Sequence, residues 1–171
     1  MKNWNFSLIV KLSLVVIIGF ICYNVLLYYA GIIPLGGKKA PSFIILLVAQ
    51  WYLVYDRYKN RNGQTTHFLN LFAYQYFFVF FVGIFSAILL YVFYQQPIGI
   101  NVLNEFISLS VAELNQYKSQ ILLQEDIRFF DQLLEGVKSI SAFSIAKDDF
   151  FQKIALSFLP NLLLSLYYKQ N

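Results

Sequence analysis

The sequence predicts an all-α integral membrane protein: four transmembrane helices, with an amphipathic helical insert between spans 3 and 4. Three observations carry that expectation. The stretch from Phe68 to Tyr94 contains no charged side chain and exceeds the roughly 20 apolar residues that cross a bilayer core. The composition is 58% hydrophobic and 13% charged, against about 25% charged in ordinary soluble domains. The charge is also segregated. Residues 95–149 carry four basic and eight acidic side chains, while the rest carries nine basic and only Asp56.

The first span starts near Ser7 or Leu12 and ends at Ala30, about 7–30 in all. Lys11 lies near its start and can snorkel to the headgroups. A signal peptide would need a shorter apolar run and small residues at a cleavage site, where this chain has Tyr28 and Tyr29. Cys22, the one cysteine, excludes an intrachain disulfide and is expected to pack as a small hydrophobe. The turn GIIPLGGKKAPS follows, rich in breakers. The second span, about 42–58, is the weak one. Its apolar part, Ser42 to Tyr55, rises only roughly 21 Å, short of the hydrocarbon core. A basic loop with Arg57, Lys59 and Arg61 leads to the third span, 68–94.

Residues 95–149 read as the insert. Leu103, Phe106, Ile107, Leu114, Tyr117 and Ile121 recur at helical spacing, as do Ile127, Phe130, Leu133, Leu134 and Val137. Asp126 is the predicted N-cap of the second stretch. The pattern fits a helical hairpin or one bent helix outside the lipid. Phe130 and Leu134 share a face and are the candidate partner-binding residues. Span 4, about 150–168, follows Asp148 and Asp149, which are expected to cap it. The whole chain, 1–171, thus reads as one membrane domain. Trp4, Tyr28, Tyr29, Trp51, Tyr55, Tyr58, Tyr91, Tyr94, Tyr167 and Tyr168 lie near span ends, where amphipathic rings favour the headgroup level. Weighting lysines and arginines by distance from span ends places both termini in the cytoplasm and the insert outside.

Lys153, Ser157, Asn161, Ser165 and Lys169 recur every fourth residue and make one polar stripe along span 4. It could line a substrate or ion path, with Pro160 opening the backbone there; helix–helix packing is the simpler role. No carboxylate within the membrane is expected to pair with Lys153. In span 3, Gln75, Gly83 and Ala87 share a face, and Gly83 with Ala87 forms a small-xxx-small pair. Gln50 is the expected partner of Gln75.

Chemistry-bearing motifs are missing. His67 is the only histidine, too few with one cysteine for a transition-metal site. Gly31 to Lys39 has the wrong spacing for a phosphate loop, and no G-x-S-x-G, H-E-x-x-H or dinucleotide fingerprint occurs. The expectation is therefore no enzyme, no catalytic residue, no metal and no cofactor. Basic residues never cluster on a soluble element, which argues against nucleic acid. The expected partners are the lipid bilayer and another membrane or periplasmic protein.

Two close spans, the basic loop YDRYKNRNGQTTHFLNLFAYQY, a long third span, an acidic insert and a proline-bearing last span form a recognisable layout. It resembles one of the uncharacterised "domain of unknown function" families of small four-span bacterial inner-membrane proteins. The resemblance covers nearly the whole chain and implies a multi-pass inner-membrane location, with no activity or catalytic residue to carry over. The function expected is a non-enzymatic accessory protein or complex subunit that binds a partner through its extracytoplasmic insert. The alternative is a small transport or channel component lined by the span 4 stripe, with a lipid-modifying enzyme third.

Overall fold

A computed structural model describes residues 5–60 and 67–169. Trp4 of the expected aromatic belt and Arg61 of the basic loop lie outside them. The described residues form seven α-helices and one 3-10 helix, with no strand. Three helices are long and apolar enough to cross a membrane: α1 (Phe6–Tyr29), α3 (Phe68–Tyr94) and α7 (Ala142–Tyr168). These are compatible with a multi-pass membrane protein. The chain divides into two compact units, Met1–Ala87 with Asp148–Asn171, and Ile88–Lys147.

The first unit is a helical bundle. Asn5 caps α1, its side chain accepting from the Leu8 N–H at 3.1 Å. α2 spans Phe43–Lys59, 17 residues that fall short of a full crossing, and the connection explains why. Gly31 and Gly36 adopt φ of 71° and 59°, the left-handed region open to glycine. The chain turns back along α1 into a 3-10 helix, Gly36–Ser42. The Tyr23 hydroxyl donates to the Lys38 carbonyl at 2.9 Å, so the connection lies beside the body of α1. α2 then starts next to Phe20. A Cβ on Gly19 would meet the Ile45 side chain at 3.2 Å, which marks the close approach of the two helices.

The opposite end of the bundle is defined by three contacts. Tyr74 on α3 meets the Asn5 backbone, the Arg57 guanidinium lies 4.9 Å from the Tyr74 ring centroid, and Tyr58 packs on Tyr168 at 5.3 Å. Between the ends, Ile9, Val16, Phe20, Leu46, Leu53, Phe78, Val79 and Val82 form the apolar core. Gly83 lets α3 approach α7: an added Cβ would sit 3.0 Å from the Phe150 ring. Ala87, its small-xxx-small partner, is half-buried. Cys22 is exposed instead of packed in the core, because it falls on the outer face of α1 beside Ile18 and Ile21.

The second unit contains α4 (Pro97–Gln116), the short α5 (Lys118–Ile121) and α6 (Ile127–Lys138). Gly99 is forced by geometry, since a Cβ there would lie 2.1 Å from the Phe93 carbonyl oxygen. Pro97 stands in the first turn of α4, where its missing N–H costs nothing. Asp126 caps α6 as expected, accepting from the Phe129 N–H at 2.8 Å. α4 packs on α6, the hairpin form of the two layouts considered. Phe130 is the buried anchor of α6, and the Lys118 ammonium lies 4.9 Å from its ring centroid.

α7 departs from expectation. It starts at Ala142, well before Phe150. Ser141 and Ser144 bond reciprocally, the Ser141 N–H to the Ser144 hydroxyl at 2.8 Å and the Ser144 N–H to the Ser141 hydroxyl at 3.2 Å. This satisfies two donors that a helix start leaves free. Asp148 and Asp149 are consequently inside the helix and cap nothing.

Candidate functional site

The polar stripe of α7 faces the interior of the bundle. Lys153, Ser157, Asn161 and Ser165 are all buried, while Lys169 at the helix end is exposed. Leu156, Leu159, Leu163 and Leu166 between them are exposed. A helix with apolar residues outward and polar residues inward matches a lipid surround.

Two polar clusters form along the stripe. The first is ionic and supplies Lys153 with a carboxylate that the expectation of none within the membrane did not foresee. Because α7 begins early, Asp149 lies one turn before Lys153 on the same face, and the Lys153 ammonium donates to Asp149 Oδ2. The Lys39 ammonium reaches Asp149 Oδ1 at 3.5 Å from the 3-10 helix. The Ser86 hydroxyl lies 3.2 Å from Asp149 Oδ2 and 3.1 Å from the Gly83 carbonyl. Lys153 also sits 4.7 Å from the Phe20 ring centroid and 5.9 Å from that of Phe43, favourable placements for a cation. One carboxylate thus serves two ammonium groups.

The second cluster is uncharged and centres on Asn161. Gln50 Nε2 on α2 donates to Asn161 Oδ1 at 2.8 Å. Gln75 Nε2 on α3 donates to Ser165 Oγ at 2.7 Å, with the Asn161 carbonyl at 3.3 Å and the Leu71 carbonyl at 3.5 Å. The expected Gln50–Gln75 pair is therefore replaced by two glutamines that each bond α7. A long amide spans the gap between helices, and α7 offers three oxygens at the meeting point. Several side-chain atoms of the bundle are buried without a partner among the described residues, among them Ser13 Oγ, Gln50 Oε1, Gln75 Oε1, Ser157 Oγ and Asn161 Nδ2. They include acceptors, a donor and two hydroxyls, the mixture that small hydrogen-bonding molecules such as water satisfy.

Other candidates are placed apart. His67 is exposed, and no group of three or more metal-ligating side chains occurs among the described residues. Phe130 is buried and Leu134 half-buried, whereas Ile127, Phe129 and Leu133 are the open apolar positions of α6. Sequence reasoning missed Lys39 as a partner of Asp149, a contact across 110 positions with no local signal. The Ser141-x-x-Ser144 pattern could have revealed the early start of α7, and hence Asp149.

Comparison with protein-family models, with curated proteins and with solved structures finds no match to this chain. The resemblance to small four-span inner-membrane proteins therefore rests on layout alone.

Proposed function

We propose that this chain is a multi-pass membrane subunit of non-enzymatic character, which holds a partner protein through residues 88–147. In this reading α2 and the 3-10 helix before it make a fourth crossing, between α1 and α3. Both termini are cytoplasmic, the insert is extracytoplasmic, and the membrane is a bacterial inner membrane. The observation that carries the reading is a set of apolar side chains left open on the insert. Leu122, Leu123, Ile127, Phe129 and Leu133 are exposed, with Glu125, Asp126, Asp131 and Glu135 interspersed. Several large apolar side chains left open on one short helix and the turn before it favour an interaction site, and the acidic side chains among them favour a basic-edged protein over anionic lipid.

The interior of the bundle supports the same reading over the transport alternative. Asn161 is fully buried and bonded to α2 and α3, so the stripe is engaged in joining helices. The test is co-purification in mild detergent, comparing wild type with Leu123→Asp combined with Ile127→Asp. Both positions are open, so the insert should stay folded while the partner is lost. Equal recovery of every co-purifying protein would reject the insert as the recognition element. Orientation is checked in a Cys22→Ser background with an impermeant thiol reagent. Ser119→Cys should label in intact cells and His67→Cys should not; the reverse would invert the topology.

A further inference from the structure

We infer that the Lys39–Asp149–Lys153 cluster is a binding site for an anionic phosphate, of the kind carried by a phospholipid headgroup or a free phosphate ester. The charge balance comes first. Lys153 occupies Asp149 Oδ2 and Lys39 occupies Oδ1, so two cations share one anion. Asp148 is exposed beside them and Lys38 is exposed beside Lys39, which leaves three lysines against two aspartates. Lys153 and Asp149 are nearly closed off, with side-chain exposures of 4% and 6%, whereas Lys39 keeps 14%. The surplus positive charge is therefore presented by Lys39 and Lys38. Asp149 is the only described partner of Lys39 and sits at 3.5 Å, so the ammonium has donors to spare.

The connection holds these lysines in place. Tyr23 bonds the Lys38 carbonyl, and the Ser42 hydroxyl donates to the Lys39 carbonyl at 2.6 Å. Lys153 acts as a positioning residue: by taking half of Asp149, it prevents that carboxylate from neutralising Lys39.

Depth points to the ligand. The Asn5–Arg57–Tyr74 contacts mark one end of the bundle. Along α1 the rise from Asn5 to Tyr23, the residue that pins Lys38, is roughly 27 Å. Along α7 the rise from Asp149 to Tyr168 is similar, roughly 28 Å. Both are close to the hydrocarbon thickness of about 30 Å. With Arg57 at one headgroup layer, Lys38, Lys39 and Asp149 lie at the other, where lipid phosphates are densest. In the orientation proposed above this is the extracytoplasmic headgroup layer, where a lysine can hold a headgroup phosphate as a point charge. This depth assignment rests on the membrane placement proposed above; the charge balance does not.

The test uses the purified full-length chain in detergent, with retained lipid counted by native mass spectrometry. The probes are phosphatidylglycerol, phosphatidylcholine and inorganic phosphate. Wild type is expected to retain one phosphatidylglycerol in preference to phosphatidylcholine. Lys39→Gln should lower that preference about fivefold, the worth of one lysine near a charged surface. Lys153→Met should lower it as well, since Asp149 is then free to neutralise Lys39. Lys59→Gln, at the far end of α2, should leave it unchanged. Melting midpoints of the variants, measured alongside, show that each is folded. If millimolar phosphate displaces the lipid and raises the midpoint of wild type alone, the site takes free phosphate; if it does neither, the site takes the headgroup. No lipid preference together with no effect of phosphate on wild type, or an undiminished preference in folded Lys39→Gln, overturns the site. Extraction of the chain from membranes by alkaline carbonate would instead overturn the membrane placement, a separate failure.

Discussion

Both units bury apolar side chains, but the bundle buries polar ones as well. In the bundle, Ser13, Gln50, Gln75, Ser86, Asp149, Lys153, Ser157, Asn161 and Ser165 are buried, while Leu14, Ile18, Phe80 and Leu163 face outward. In the insert, Val102, Leu103 and Phe130 are buried and the acidic side chains face outward. All the buried polar residues among those described belong to the bundle. The contrast fits a lipid surround for the bundle and a water surround for the insert, since lipid leaves polar groups without partners and water excludes apolar ones. The bundle is thus held by a few specific polar contacts added to packing, and the insert by burial of a few large side chains.

That contrast breaks most visibly at Asp149. Replacing it with leucine leaves Lys39 and Lys153 without a counter-charge in a buried site. Removal of one partner from a buried pair costs about 3–5 kcal/mol. A large fall in melting midpoint in detergent is expected, and Lys153→Met added to Asp149→Leu should recover part of it. If Asp149→Leu melts like wild type, the pair adds nothing to the bundle.

Gly83→Val probes packing in the bundle with polar groups left alone. A Cβ already meets Phe150 at 3.0 Å, and two further methyls force helix α7 away from α3. Overpacking of this kind costs about 1–3 kcal/mol. Thermal unfolding checks it, and Gly83→Ala should cost less. An unchanged midpoint for Gly83→Val would show that α3 and α7 are free to separate here.

What was legible in the sequence follows from the same contrast. Helix α3 was readable end to end, Phe68 to Tyr94, because nothing interrupts its apolar run. The stripe of α7 was readable because four-residue spacing survives any error in the helix start. The start itself was not, because hydropathy rises at Phe150 while the backbone becomes helical at Ala142, in a turn set by two serines. Hydropathy alone therefore makes Asp149 a cap. The shortness of α2 was readable, but its cause was not: the return of the chain along α1 depends on a Tyr23 contact far from the connection. Gln50 and Gln75 stand out in the sequence as polar residues in apolar runs. That they meet on Asn161 depends on how the helices are rotated, which no single-helix pattern encodes.

The smallest effects give the sharpest comparison, because each unit contains one well-formed hydrogen bond of equal length. Asp126 accepts from the Phe129 N–H at 2.8 Å in the insert, and Asn161 accepts from Gln50 at 2.8 Å in the bundle. Asp126→Ala removes a helix cap facing water and should cost about 1 kcal/mol, read as faster amide exchange in the first turn of α6. Asn161→Leu removes a buried bond, and intuition gives it the larger penalty. The expectation is the reverse, about 0.6 kcal/mol, because an opened bundle still in lipid lets Gln50 find another partner. Thermal unfolding in detergent, with Leu162→Ile as a neighbouring control that should change little, measures it. A cost near 0.6 kcal/mol places the stripe among ordinary interhelical contacts. A cost above about 2 kcal/mol would mean that the bonds joining Gln50, Asn161, Gln75 and Ser165 act as one cooperative unit and fail together.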